Sequence, residues 1–419
     1  MSHAGGGTAR DGSVVVAQDT AGHEAAPVRR TSVGDTRVGV SPARPGALDV
    51  IEVLDELVNG GHDSCMKILV MGGTWFLGRA VAEEALRRGW KVNTFNRGRS
   101  GPDVRGVQPL RGDRTEVEDL AELSSHGPWD AVVDTSSAEL PPKGVLAGAR
   151  ALKVAAERYV YVSTVNAYQG WPSDPLTEAS DLLDGPPDAD ADYGRLPEDW
   201  DGPDWYYGRQ KAGAERAVLQ EFGEKRSALL RPGVILGPGE YVGRLPWWLR
   251  RAERGGHILA PGLPSKSIQP VDVRDVAAFA LDQAAAPVGG AYNVVAPVGR
   301  ETMGGFLNAC LQATGHRGHL SWVPDSFLVE AGIEQWTELP LWRTHAGVWN
   351  VASDRAQAAG LVCRPLAETV EATWRWLLDG GLPVAHPRAD EHGIDPRREQ
   401  RLLEEFAARA ASGFESERR

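Results

Sequence analysis

From Met66 to about residue 380, short continuous apolar runs alternate with stretches whose apolar residues recur every three or four positions. "KILVMGG" is unbroken apolar sequence closed by glycines, the pattern of a strand buried on both faces of a parallel sheet. "RAVAEEALRRG" follows as a helix, with Val81, Ala85 and Leu86 on one face and Gly89 as its stop. Further strands are expected at "KVNTFN", "DAVVDT", "RYVYVST", "SALLRPGVI" and "GAYNVVA". Helical spacing lies between most of them, as in "PKGVLAGARALKVAAE" and "YGRQKAGAERAVLQEF". This alternation predicts an α/β fold, a doubly wound parallel sheet whose ligands bind beyond the carboxyl ends of the strands.

The same patterning divides the chain. Residues 1–46 are rich in Gly, Ala and Pro without periodicity and are expected to form a disordered extension. Residues 47–64 space Leu48, Ile51, Leu54, Leu57 and Val58 as a short helix; an alternative expectation starts the protein at Met66. Residues 66–237 carry the sheet pattern, and 238–380 a smaller substrate lobe interleaved with the last sheet elements. Residues 381–419 form a tail in which "DPRREQRLLEEFAARAA" reads as an amphipathic helix, Asp395 its N-cap and Pro396 in its first turn. Residues 170–203 are a long Pro-, Asp- and Gly-rich loop, of a length usually tied to function or mobility.

Composition narrows the function classes. The 419 residues are 42% hydrophobic and 24% charged, enough to bury a sizeable core. A formal charge of −12 disfavours nucleic acid or an anionic membrane as the main partner, while leaving room for a small anionic ligand. Cys65, Cys310 and Cys363 are too few and scattered for a disulfide framework, which fits a reducing cytoplasm. No apolar run approaches the roughly 20 residues of a membrane span. Arg29 and Arg30 have no apolar stretch behind them, so no signal peptide is expected. His316 and His319 near Cys310 lack any CxxC or HExxH pattern, so no metal site is expected.

The glycine turn "VMGGTWFLG" stands where the first strand becomes the first helix. Gly72 permits the tight turn, Gly78 lets the helix pack closely, and helix N–H groups there can hold a pyrophosphate. Here the chain resembles the extended short-chain dehydrogenase/reductase family, which includes the NAD-dependent epimerases and dehydratases. The resemblance covers about residues 66–380. Trp75 replaces the middle glycine of the family's G-x-x-G-x-x-G, and the form GGT-x-F-(Ile/Leu)-G is similar to a divergent branch that includes chloroplast stem-loop-binding proteins. The resemblance implies a Rossmann-type domain with Gly72, Gly73, Thr74, Trp75, Phe76, Leu77 and Gly78 around the cofactor. At the second strand's end, "FNRGR" offers Asn96, Arg97 and Arg99 instead of an acidic ribose clamp. An arginine fork suits a 2′-phosphate, so NADP is the expected cofactor and NAD the alternative. Asp113, with Arg114 beside it, follows the probable third strand, where the family often has an aspartate facing the adenine. Asp134, Thr135 and Ser136 close the fourth strand near the expected pyrophosphate and ribose.

"DWYYGRQKAG" carries the candidate chemistry. On a helix, positions i and i+4 share a face, so Lys211 neighbours Tyr207, whereas Tyr206 points about a quarter-turn away. A free tyrosine, with a pKa of about 10, is a poor base until a nearby ammonium favours its phenolate. Such a Tyr-x-x-x-Lys also arises by chance; its weight comes from "VYVSTVNAYQG" upstream. That segment is similar to the family's S-(S/T)-x-x-x-Tyr-Gly, which makes Thr164 the implied catalytic hydroxyl, Ser163 the alternative and Tyr168 the motif tyrosine. "PLTEAS" around Glu178, "LRPGVILGPGE" and "VDVRDVA", with Asp272 and Asp275, also resemble family segments.

The expected activity is hydride transfer to or from a carbonyl or alcohol of a small molecule. Tyr207 exchanges the proton, Thr164 polarises the oxygen, and Lys211 tunes the tyrosine and anchors the ribose. One rival is a redox-neutral nucleotide-sugar epimerase or dehydratase, with Arg244, Arg250, Arg251 and Arg274 as candidates for a diphosphate and ordinary solvation as their alternative. Another is a nucleic-acid-binding protein on the same fold, against which the net charge speaks. Tryptophans 171, 205, 247, 248, 322, 336, 342 and 349 suit an aromatic or sugar substrate or a packed core. A homodimer is a further expectation.

Overall fold

The structure, a computed structural model, describes residues 65–190, 205–381 and 392–417. The readings of residues 1–46 and 47–64 therefore lie outside it, as do the end of the long loop and the start of the tail. Six strands and four helices come first: β1 (Lys67–Met71), α1 (Phe76–Arg87), β2 (Lys91–Asn96), β3 (Gln108–Arg111), α2 (Val117–Ser125), β4 (Trp129–Asp134), α3 (Pro142–Leu152), β5 (Ala156–Val162), α4 (Trp205–Arg226) and β6 (Ser227–Pro232). Next come β7 (Ile235–Leu236), α5 (Arg244–Arg254), β8 (Gly256–Pro261), β9 (Ser267–Ile268), β10 (Val271–Asp272), α6 (Val273–Ala285) and β11 (Gly290–Val294). The chain continues through β12 (Glu301–Thr302), α7 (Met303–Ala313), β13 (Gly318–Val323), α8 (Asp325–Glu330), α9 (Asp354–Ala358), α10 (Leu366–Leu378) and α11 (Pro396–Glu417).

Seven strands make one sheet in the order β11-β6-β5-β4-β1-β2-β3, every neighbouring pair parallel. The order reverses beside β1, so this is a Rossmann-type doubly wound sheet with its crevice at the carboxyl edge. Both faces are covered, which explains the unbroken apolar runs. Leu69, Met71, Val132, Tyr159 and Tyr161 pack with apolar residues of α3 and α4, while Ile68, Val70, Ala131, Val133 and Val160 are fully buried between them in the alternation.

A second core lies in the lobe built on α5, α7, α10 and the parallel pair β8 and β13. Trp171, Trp248, Trp336, Trp342 and Trp349 are buried in it, so for these five the packing alternative describes the structure. Helix α11 is capped by the Asp395 carboxylate, which accepts the N–H groups of Arg397 (3.0 Å) and Arg398 (2.9 Å). Its Glu399 is buried against Arg251 at 2.8 Å and also accepts the Leu259 N–H at 3.0 Å.

Candidate active site

The glycine turn follows β1 directly. Gly72 and Gly73 take φ of 109° and 95°, where a side chain is strained. At Gly78 a Cβ would lie 2.5 Å from Thr135 Oγ1 and 2.8 Å from the Gly73 nitrogen, so only glycine lets α1 start this close to β1 and β4. The first N–H groups of α1 thus face the crevice, a cradle that fits a dinucleotide's diphosphate. Thr74 and Leu77 are buried beneath it. Trp75 precedes the helix in extended conformation and turns its ring onto Tyr241, centroid to centroid 4.3 Å.

On the adenosine side, Asn96 binds the turn itself: its Nδ2 donates to the Gly72 carbonyl at 2.8 Å. Its Oδ1 accepts the Gly98 N–H (2.8 Å) and Arg111 Nη1 (2.7 Å). Arg97 is 55% exposed and reaches Asp113 at 3.4 Å. Asp113 is held below the usual carboxylate range by the N–H and hydroxyl of Thr115, with Arg97 adding to the effect. Arg111, absent from the sequence expectations, also pairs with Asp103. The β2–β3 register sets Asn96 opposite Arg111, which is the signal that would have found it.

Arg114, expected at the cofactor, is engaged by the end of β4. Its guanidinium grips Asp134 at 2.7 and 2.8 Å and the Ser136 hydroxyl at 2.7 Å. Asp134 is fully buried and also accepts the Tyr159 hydroxyl at 2.8 Å. Burial alone would raise the Asp134 carboxyl; the Arg114 charge and hydrogen bonds outweigh it and hold the group ionised below its ordinary value. Thr135 meanwhile donates its hydroxyl to the Met71 carbonyl at 3.0 Å, tying β4 to β1.

Helix α4 carries the catalytic candidates. A Cβ at Gly208 would fall on the Asn166 carbonyl, so this glycine lets α4 press against the turn after β5. Lys211, buried at the next turn of α4, donates to Ser137 Oγ (3.1 Å), the Tyr161 hydroxyl (3.3 Å) and the Val162 carbonyl (3.0 Å). Its ammonium stands 5.9 Å from the Tyr207 ring centroid and 5.0 Å from that of Tyr161. Burial pulls Lys211 down to about 8, with Arg114 adding and Asp134 opposing. Tyr161 is pushed well above its ordinary value by burial first and by Asp134 second, so it remains a hydroxyl. Tyr207 is half-buried, whereas Tyr206 is 41% exposed with its ring edge-on to Trp205. Tyr161 and Ser137 were not expected from the sequence, although inward alternation along β5 marks Tyr161.

Ser163 and Thr164 follow the end of β5, both buried. Thr164 Oγ1 accepts the Asn166 N–H at 3.3 Å, capping the turn Val165–Ala167; Ser163 Oγ has no protein partner among the described residues. Tyr168 lies in a buried network instead of the crevice. Its hydroxyl accepts from Arg231 at 2.8 Å and donates to Asn293 at 2.8 Å, while Arg231 pairs with Glu215 at 2.6 Å. Glu178 accepts the Asn293 N–H at 3.0 Å, fixing its loop to β11. Of the four arginines weighed for a diphosphate, Arg251 is paired with Glu399, Arg274 with Asp272 at 2.6 Å and Arg250 with Glu253 at 3.1 Å. Arg244 is buried 3.8 Å from Glu240. Among the described residues no cluster of three or more His, Cys, Asp or Glu could hold a metal, and no helix is long and apolar enough to cross a membrane.

This geometry can be set beside known proteins. The NAD dependent epimerase/dehydratase family matches residues 68–295. A 2-alkyl-3-oxoalkanoate reductase of Stenotrophomonas maltophilia is 28% identical over 237 residues, 53% of this chain and 67% of that protein. The fold matches Bordetella bronchiseptica WbmH, solved with NAD+, at a TM-score of 0.55 and 18% identity over 76% of this chain and 99% of that one. It matches a Thermotoga maritima UDP-glucose 4-epimerase, solved with UDP-glucose, at 0.54 and 18% over 75% and 99%.

Proposed function

The chain belongs to the NAD dependent epimerase/dehydratase family, and from that premise we propose that it is an NADP(H)-preferring reductase of a small carbonyl compound. One observation carries the reading: a buried lysine, pulled down to about 8, sits on α4 between a tyrosine that stays protonated, Tyr161, and the half-buried Tyr207.

The glycine turn and first turn of α1 would hold the diphosphate, Asn96 and Arg97 the adenosine ribose, and Lys211 the nicotinamide ribose. When bound, the nicotinamide cofactor supplies a hydride to the carbonyl carbon. Tyr207 gives its phenolic proton to the developing alkoxide oxygen, and Thr164 donates a hydrogen bond to that oxygen. The Lys211 ammonium stabilises the phenolate left on Tyr207. Ser137, Tyr161 and the Val162 carbonyl fix the ammonium in position for both roles.

NADP(H) is favoured because β2 itself ends in Asn96 and an exposed Arg97 instead of a carboxylate, and Arg111 stands next to Asn96; the two arginines offset the neighbouring Asp113 and Asp103. Net reduction is favoured over a redox-neutral nucleotide-sugar reaction by the reductase relative and by the ion pairs that engage Arg250, Arg251 and Arg274. The test incubates the protein and NADPH separately with 2-alkyl-3-oxo acids and with a panel of nucleotide sugars. Stoichiometric NADPH oxidation with an oxo acid supports the reading. Conversion of a nucleotide sugar without net cofactor consumption replaces it with the redox-neutral one.

A further inference from the structure

Trp75 stands at the carboxyl end of β1, where related turns have glycine, and its ring meets Tyr241 at 4.3 Å. Tyr241 belongs to the segment between β7 and α5. The chain leaves the sheet at the end of β6, which β5 and β4 separate from β1. All these strands are parallel, and the segment from β6 to Tyr241 runs past the start of α6, where a Cβ at Gly237 would meet Val273 at 2.8 Å, to Phe76, which a Cβ at Gly239 would meet at 3.8 Å; the carboxyl ends of β5 and β4 lie between β6 and β1. Those ends hold Ser137, Ser163 and Thr164, and Lys211 lies beside them.

Two observations show that the contact is built. Phe76 is held at φ 31°, a left-handed value rare for an aromatic residue, and its ring meets Tyr241 edge-on at 5.9 Å. The segment bearing Tyr241 is anchored behind it: the buried Glu240 carboxylate accepts the N–H groups of Arg244 and Leu245, each at 3.0 Å, at the start of α5.

We propose that Trp75 and Tyr241 form an aromatic clasp over the cofactor crevice, under which the nicotinamide half of the dinucleotide lies and which must part for it to enter or leave. The inference rests on the cofactor reading given above. A clasp slows entry and exit together. A residue that merely touches the bound cofactor changes exit alone.

The experiment measures NADPH association and dissociation by stopped-flow fluorescence for the unmodified protein, Trp75→Gly, Tyr241→Ala, Tyr241→Phe and the double variant Trp75→Gly/Tyr241→Ala. Melting temperatures accompany each, so that a variant that fails to fold is recognised and Tyr241→Ala and Tyr241→Phe still decide. Both rate constants should rise about 3- to 10-fold in each single disruptive variant, with no further gain in the double. Tyr241→Phe, which keeps the ring, should behave as the unmodified protein. Unchanged rates in Tyr241→Ala, or faster exit without faster entry, would overturn the clasp while leaving cofactor use intact. An unmodified protein that binds neither NADPH nor NADH would overturn both readings.

Discussion

The Lys211 ammonium donates to the Tyr161 hydroxyl at 3.3 Å, so a tyrosine far from it in sequence touches the lysine directly. Burial moves the two groups in opposite directions, pulling Lys211 down and pushing Tyr161 up. Tyr161 therefore holds the lysine in place, and on the proposed reading proton transfer falls to Tyr207. Replacing Tyr161 by Phe removes one of three acceptors around a buried ammonium. It should lower stability by about 1–3 kcal/mol, read as a shift in urea midpoint, and keep turnover within about tenfold of the unmodified enzyme.

The depressed Lys211 value also sets a pH dependence. On the proposed reading it is the ammonium form that binds the ribose, and that form is present below about 8 and lost above it. NADPH affinity should accordingly weaken as pH rises from 7 to 9, by up to about tenfold per pH unit above the break. In Lys211→Met the affinity should be lower and flat across the same range. Calorimetric titrations at half-unit steps read both, and a Lys211→Met protein with the unmodified profile would assign the break to another group.

At the end of β2, Arg97 should contribute to the choice of cofactor. Its side chain is exposed, and its contact with Asp113 is long at 3.4 Å. The unmodified protein should bind NADPH more tightly than NADH. Arg97→Asp should reverse the order by removing a cation and adding a charge that repels the 2′-phosphate. Competition titrations with both cofactors check this, and equal affinities in the unmodified protein would contradict it.

Arg114 should behave as a structural residue. Its guanidinium neutralises Asp134, which has no exposure to water. Arg114→Met leaves that carboxylate buried and unpaired, a change typically costing about 3–5 kcal/mol. A large drop in melting temperature is expected, partly relieved by the double variant Arg114→Met/Asp134→Asn. Full thermal stability of the single variant with weakened cofactor binding would instead make Arg114 a ligand contact.

The central strands were legible in the sequence because they are covered on both faces, whereas the edge strand β3 is mostly exposed and carries no apolar run. Runs such as "KILVM" and "DAVVD" are therefore apolar without interruption, and glycines mark where the first ends. Tyr207 and Lys211 were legible because their relationship is local, one helical turn. What escaped is what tertiary packing alone creates. Tyr161 reaches Lys211 across 50 residues, and β13 pairs with β8 across four intervening strands and two helices. Arg114 is expected at the ligand because its sequence neighbours the adenine site, and its pairing with Asp134 is set by the fold alone. The buried tryptophans similarly looked like recognition residues; their positions in the second core show that size and apolar area place several of them inside.

The catalytic assignment rests on Tyr207 sharing a face with Lys211. It is tested most directly by single-turnover hydride transfer from NADPH to a 2-alkyl-3-oxo acid, or a slow surrogate ketone, in Tyr207→Phe. Loss of the phenol removes the proton donor and none of the expected ribose contacts. The rate constant should fall about 10²–10⁴-fold while the NADPH dissociation constant changes by no more than about twofold. Tyr206→Phe, measured alongside, should cost little. A Tyr207→Phe enzyme that still turns over near the unmodified rate, or a Tyr206→Phe enzyme that is the more damaged of the two, would contradict the account.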